Sequence, residues 1–158
     1  MKTQLITTTL AVMLLAAPVF AQSCADGKTL TEGTLTIATG NPAYYPWVMD
    51  DAPESGKGYE AAVAYALAER MGFSASNVEW TRTSFDQAIQ PGAKDFDLNI
   101  QQFSITEDRD KVVDFSISYY TAPMAVLVRS ADKLEPSMAE LKGLVWGAAA
   151  STTGLPMI

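Results

Sequence analysis

The stretch from residue 35 to residue 110 alternates between two hydrophobic periods, and this restricts the fold more than any other feature of the sequence. Leu35-Thr36-Ile37-Ala38-Thr39 is β-branched and alternating, which predicts a first strand. Gly40-Asn41-Pro42 ends it. Tyr59 to Met71 then changes to a helical period, with Tyr59, Val63, Ala66, Leu67 and Met71 expected on the packing face and Gly72 closing the helix. Val78-Glu79-Trp80-Thr81-Arg82-Thr83 returns to a strand. Ser84-Phe85-Asp86-Gln87 has the S-x-x-Q form of a capping box and opens a short helix, which Pro91-Gly92 ends. Phe96, Leu98 and Ile100 alternate with Asp97 and Asn99 and read as the central strand. Strand and helix alternating in this way give an α/β fold on a parallel sheet.

The end of that third strand is the first place to look for a site. The chain passes through Gln101, Gln102 and Phe103 into Ser104-Ile105-Thr106. Thr106 reads as an N-cap, followed by Glu107-Asp108-Arg109-Asp110. Ligands of α/β proteins collect where a strand runs into a helix N-terminus, because unpaired N–H groups gather there. Backbone donors together with the Arg109 guanidinium suit a carboxylate. The competing reading is a solvated turn in which Arg109 and Lys111 alternate with Glu107, Asp108 and Asp110. Ala43-Tyr44-Tyr45-Pro46-Trp47 reads either as an aromatic wall for a ligand or as a lid over the core edge.

Further along, Val112 to Phe115 is a short apolar segment, and Ser116 to Thr121 is a Ser- and Tyr-rich connection. Ala125-Val126-Leu127-Val128 reads as a buried strand. Ser137-Met138-Ala139-Glu140 opens a short helix that Gly143 closes, and Leu144 to Ala148 reads as another strand. Ser151-Thr152-Thr153-Gly154 has the look of a strand-to-helix anion nest. Ile158 falls inside what reads as the next helix, so an incomplete unit, weak in ligand binding by itself, is expected.

Composition removes several function classes. The 158 residues carry a net charge of −7 and no His. Nucleic acid and anionic membranes select basic surfaces, so neither is an expected partner. Without His, a Ser-His-Asp triad and the commonest metal ligand are both absent. The single Cys24 excludes a CxxC site, and no cofactor or metal is expected. Residues 1–21 read as a secretory signal peptide: Met1-Lys2, an apolar run from Leu5 to Phe20, and a small-x-small cleavage pattern at Val19-Phe20-Ala21. The run is short for an uncleaved anchor. A secreted, periplasmic location is expected. Lipid attachment at Cys24 is disfavoured, because polar Gln22 stands in the box before it. A disulfide at Cys24 would need a partner outside these residues.

Taken together, several motifs are recognisable in order: Gly58-Tyr59-Glu60, Ser84-Phe85-Asp86-Gln87, Lys94-Asp95-Phe96-Asp97, Ser104-Ile105-Thr106 with Arg109, Val112-Val113-Asp114-Phe115-Ser116, Tyr119-Tyr120 and Ser151-Thr152-Thr153-Gly154. In these, from Leu35 to Gly154, the chain resembles the periplasmic solute-binding proteins of polar amino-acid ABC importers (extracellular solute-binding family 3). The resemblance implies the type II periplasmic-binding fold, two lobes with a ligand cleft between them. It implies an N-terminal arm at 22–34, a first lobe at 35–123 and the start of a second at 124–158. It implies that Arg109 clamps an α-carboxylate, helped by the backbone near Ser104 and Thr106. Tyr44 and Phe85 would flank the ligand side chain, and Thr152 and Thr153 would add donors. Gln101 and Gln102 stand where many members carry small residues. The implied partners are a free amino acid and the permease subunits of an inner-membrane ABC transporter, the binder itself being a monomer and not an enzyme. Two other functions remain on the same fold: a ligand-sensing receptor module, and a periplasmic cyclohexadienyl dehydratase-like enzyme.

Overall fold

The computed structural model describes Ala25, residues 27–133 and residues 137–158. The expected leader and Cys24 lie outside the described residues. Strand β1 (Leu35–Gly40) pairs in parallel with β2 (Val78–Thr83) on one side and with β3 (Leu98–Asn99) on the other, giving the order β2-β1-β3. Ile37 stands opposite both Trp80 and Leu98. The third strand therefore lies at the edge of this sheet, and β1 is central. The reason shows in their burial. Five of the six β1 positions are buried, whereas β3 is half-buried and keeps regular pairing over two residues.

Helix α1 (Tyr59–Met71) has the expected bounds, but the face it buries is different. Its buried residues are Glu60, Ala61, Ala64 and Ala68, while Tyr59 and Leu67 are each 42% exposed. Small side chains let the helix axis approach the sheet, so Ala64 and Ala68 pack with Leu35, Ile37 and Phe73. The larger residues lie outside this stripe, although Met71 still packs against its edge.

The start of α1 is capped by backbone rather than by a side chain. Tyr59 N–H donates to Pro46 O at 3.1 Å, and Glu60 N–H donates to Trp47 O at 3.0 Å. This close approach requires Gly58. Its φ is +103°, and a Cβ there would sit 2.5 Å from Trp47 O. At the other end Gly72 is left-handed and donates to Ala68 O and Glu69 O.

Helix α2 (Phe85–Ile89) opens on the capping box, with both Ser84–Gln87 contacts present. Helix α3 (Glu107–Asp110) opens on Thr106, whose hydroxyl accepts from Arg109 N–H at 3.3 Å. Helix α4 (Met138–Leu141) opens on Ser137, which accepts from Glu140 N–H. Asp97 ties the entry arm to the sheet by accepting from Leu30 N–H and Thr36 N–H, each at 2.7 Å.

The two later strands do not form. Neither 125–128 nor 144–148 is hydrogen-bonded into a sheet among the described residues. Leu127 is 99% exposed and Val145 101% exposed, so the first of these runs is not buried either. Strand propensity becomes a strand only where a neighbour supplies the ladder. Among the described residues, the three paired strands come from residues 35–99.

Candidate functional site

Parallel pairing brings the C-terminal ends of β1, β2 and β3 to one side of the sheet. The residues that follow each strand meet there. Gly40 to Tyr44, Ser84-Phe85 and Gln101-Gln102 line one cavity of about 160 Å³. Tyr44, Phe85, Gln101 and Gln102, expected as ligand neighbours from sequence, thus share one groove.

Gly40 gives the groove its width. A Cβ at this position would lie 2.9 Å from Pro42 O and 3.3 Å from the Gln101 amide nitrogen. Gln101 is buried, and its side-chain oxygen accepts from Thr83 Oγ1 at 3.2 Å and from Asn99 Nδ2 at 3.3 Å. The 41–51 loop that carries Tyr44 is anchored below the groove. Arg82 donates to Gly40 O at 2.7 Å and to the Asp51 carboxylate at 2.6 Å, while Ala43 N–H donates to the same carboxylate at 2.8 Å. The Ala43 and Arg82 hydrogen bonds hold the Asp51 carboxyl below its ordinary value. The loop covers the core edge, as one of the two readings from sequence expected, and leaves Tyr44 free at the groove. Ala43 and Val48 pack with Ala61, and Tyr44 is 64% exposed at the groove.

Arg109 stands beside the groove, held by two rings. Phe85 and Phe103 stack with centroids 4.0 Å apart, and the guanidinium carbon lies 5.5 Å and 5.3 Å from their centres. The guanidinium donates to Ser104 O at 2.8 Å and to Ser151 O at 2.6 Å. Partial burial lowers its pKa from the ordinary value. Two of its five N–H groups are thereby used among the described residues. Lys111, by contrast, pairs with Asp108 in solvent. The solvated-turn reading therefore fits Lys111 and not Arg109.

The 151–154 segment reaches this place through Ser151, the first residue of the expected anion nest but not one of its expected ligand contacts. Ser151 supplies a carbonyl to Arg109 and a hydroxyl to Asp86 at 2.6 Å. Thr153 Oγ1 lies 3.4 Å from Ser104 Oγ, whereas the Thr152 hydroxyl donates to Ala149 O at 2.7 Å. Glu60 was also missed. It is fully buried, and its carboxylate accepts from Gln102 N–H at 2.9 Å, from the Gln102 side-chain amide and from the Tyr119 hydroxyl. Burial pushes its carboxyl above the ordinary value, and these hydrogen bonds oppose that shift. The signal was available: Glu60 shares the i, i+4 stripe of Ala64 and Ala68.

A larger cavity of about 360 Å³ lies on the other side of Gln102, lined by Trp47, Phe103, Phe115, Tyr119 and Tyr120 among others. Size favours it, but the strand ends and the groove's polar groups converge on the smaller one, which makes that groove the candidate site. Among the described residues no three His, Cys, Asp or Glu side chains are grouped to hold a metal ion.

The model of the bacterial extracellular solute-binding proteins, family 3, matches residues 35–150. The chain belongs to that family. Its family-3 fold class is the type II periplasmic-binding fold, and the parallel β2-β1-β3 sheet is part of it. The chain is similar to the L-arginine-binding protein of Pseudomonas aeruginosa, 28% identical over 64% of this chain and 38% of that protein. It is also similar to the lysine/arginine/ornithine-binding periplasmic protein of Escherichia coli, 25% identical over 84% of this chain and 50% of that protein. The family-3 chain thus spans half or less of the length of these curated relatives. No solved structure matches it. Among the described residues no helix is long and apolar enough to cross a membrane.

Proposed function

We propose that this family-3 protein binds a free amino acid outside the cytoplasm and delivers it to an ABC-type permease in the inner membrane. The observation that carries the reading is the convergence of three parallel strand ends on one groove, beside a guanidinium held by Phe85 and Phe103. The amino acid lies between Tyr44 and Phe85, with its carboxylate taken by Arg109 and by backbone near Ser104 and Thr106. Gln101 supplies a fixed amide at the groove floor. Residues 35–123 act as the first lobe and 124–158 as the start of the second, which brings Ser151, Thr152 and Thr153 toward the ligand.

Binding rather than catalysis is favoured by the charged groups near the groove. Arg109 is a cation, Asp51 is tied to Arg82 and Ala43, and Glu60 is enclosed by Gln102 and Tyr119. None of these carboxylates is presented to the groove as a general acid or base.

The two curated relatives are named for basic amino acids, so L-arginine, L-lysine and L-ornithine head the test panel. Thermal-shift screening of the full-length protein against these and the remaining standard amino acids tests the reading. A ligand of the folded state at about 100 times its Kd adds about 2.7 kcal/mol of apparent stability. A clear upward shift with at least one amino acid is expected, and no shift across the panel would overturn the reading.

A further inference from the structure

Gln102 is a non-glycine residue in the left-handed region, with φ +52°. Such a conformation persists where surrounding contacts determine it. Here the contacts come chiefly from one side chain 42 residues away, with the Tyr119 hydroxyl beside it. Glu60 takes both the backbone N–H and the side-chain amide of Gln102, and it is itself fixed by its place in α1 and by the Tyr119 hydroxyl. The consequences of this turn fall on the groove. On one side, Gln101 is delivered to Thr83 and Asn99 beneath the cavity. On the other, Phe103 reaches its stack with Phe85, and Ser104 O reaches Arg109. Gln102 itself borders both cavities, so it divides them.

We propose that Glu60 is a positioning residue for ligand binding: its carboxylate holds Gln102 in the left-handed turn that aims residues 101–104 at the groove. This rests on the amino-acid reading of the groove. The backbone anchor needs an acceptor oxygen rather than a charge: Oε1 receives both Gln102 N–H and the Tyr119 hydroxyl, while Oε2 takes only the Gln102 side-chain amide, which can turn its oxygen toward the N–H₂ introduced by Glu60→Gln. The upward pKa shift of the buried carboxyl is consistent with that.

The test pairs two readouts on the full-length protein: hydrogen exchange of the Gln102 amide without ligand, and calorimetric titration with L-arginine. Glu60→Met, of similar length but without an acceptor, is expected to lose Gln102 protection and to bind at least about tenfold more weakly. Glu60→Gln keeps one acceptor oxygen and is expected to retain both properties within about threefold. A folded Glu60→Met protein with a protected Gln102 amide or unchanged affinity would overturn the proposal.

A second pair decides the matter even if Glu60→Met does not fold. Gln102→Gly adopts the turn without strain and Gln102→Ala does not, so Gly is expected to bind several-fold more tightly than Ala. Equal affinities would overturn the proposal. If the wild-type protein takes no L-arginine, the exchange rates still decide whether Glu60 anchors Gln102, and the failure falls on the ligand reading alone.

Discussion

Arg109 donates to the carbonyl of Ser151 at 2.6 Å, across 42 residues of chain. The same guanidinium holds Ser104 O and rests against Phe85 and Phe103. One side chain therefore joins the end of β3, the β2–α2 junction and the 151–154 segment. On the proposed reading, an arriving carboxylate would meet a cation already oriented by its surroundings. The orientation lowers the entropy lost on binding.

Arg109→Ala is expected to abolish useful binding. Truncating one partner of a hydrogen-bonded, desolvated charge pair costs about 2–5 kcal/mol. At about 1.4 kcal/mol per decade this is roughly 30- to 5,000-fold in affinity. Arg109→Lys is expected to fail in the same direction, because an ammonium reproduces neither the two-pronged contact nor the stacking. Calorimetric titration of both variants measures the loss. Unchanged affinity in both would return Arg109 to the role of a surface charge.

Gly40→Ala tests the groove's width. Its added Cβ meets a backbone oxygen at 2.9 Å and the Gln101 amide at 3.3 Å, so either the loop or Gln101 must move. Overpacking of this kind costs about 1–3 kcal/mol. Both the denaturant midpoint and the affinity are expected to fall. A variant with wild-type affinity would show that the ligand sits elsewhere.

Asp51 sets a pH dependence whose sign follows from its hydrogen bonds. Its folded-state pKa lies below the ordinary value of 3.8, so the unfolded chain binds the proton more tightly. Its contribution to stability is therefore present above pH 3.8 and is lost as pH falls through the folded value. Asp51→Asn is expected to lower stability at neutral pH and to flatten the acid limb of the stability curve below pH 3.8. An acid limb as steep as that of the wild type would mean that other carboxylates carry it. Because the same contacts hold the Tyr44 loop, a smaller loss of ligand affinity is expected alongside.

Much of the 35–110 region is legible in the sequence because its signals are local. Alternation marks β1 and β2, the Ser84–Gln87 box marks α2, and Thr106 marks α3. Parallel pairing puts the strand ends together and so brings to one groove the residues that the family resemblance implied, although β3 lies at the edge and not at the centre. What sequence conceals is set by distant partners. The stripe shared with Ala64 and Ala68 marks the place of Glu60, but only the chain at Gln102 and Tyr119 shows how a carboxylate is satisfied there. Gln102 carries no local mark of a left-handed residue. The apolar runs at 125–128 and 144–148 have strand composition but no ladder partner among the described residues. On α1, apolar periodicity suggested a packing face through Tyr59, Val63, Ala66, Leu67 and Met71, whereas close approach to β1 selected Ala64 and Ala68.

The central claim is that the groove receives a free amino acid by its carboxylate. The most direct measurement is calorimetric titration of the full-length protein with the amino acid selected by the thermal screen and with its carboxamide, in which N–H₂ replaces one carboxylate oxygen and removes both the negative charge and an acceptor. Replacing a carboxylate that accepts two charge-assisted hydrogen bonds is expected to cost about 3 kcal/mol. The account predicts that the amide binds about a hundredfold more weakly, and that Arg109→Ala removes most of this difference. Equal affinity for acid and amide would contradict it.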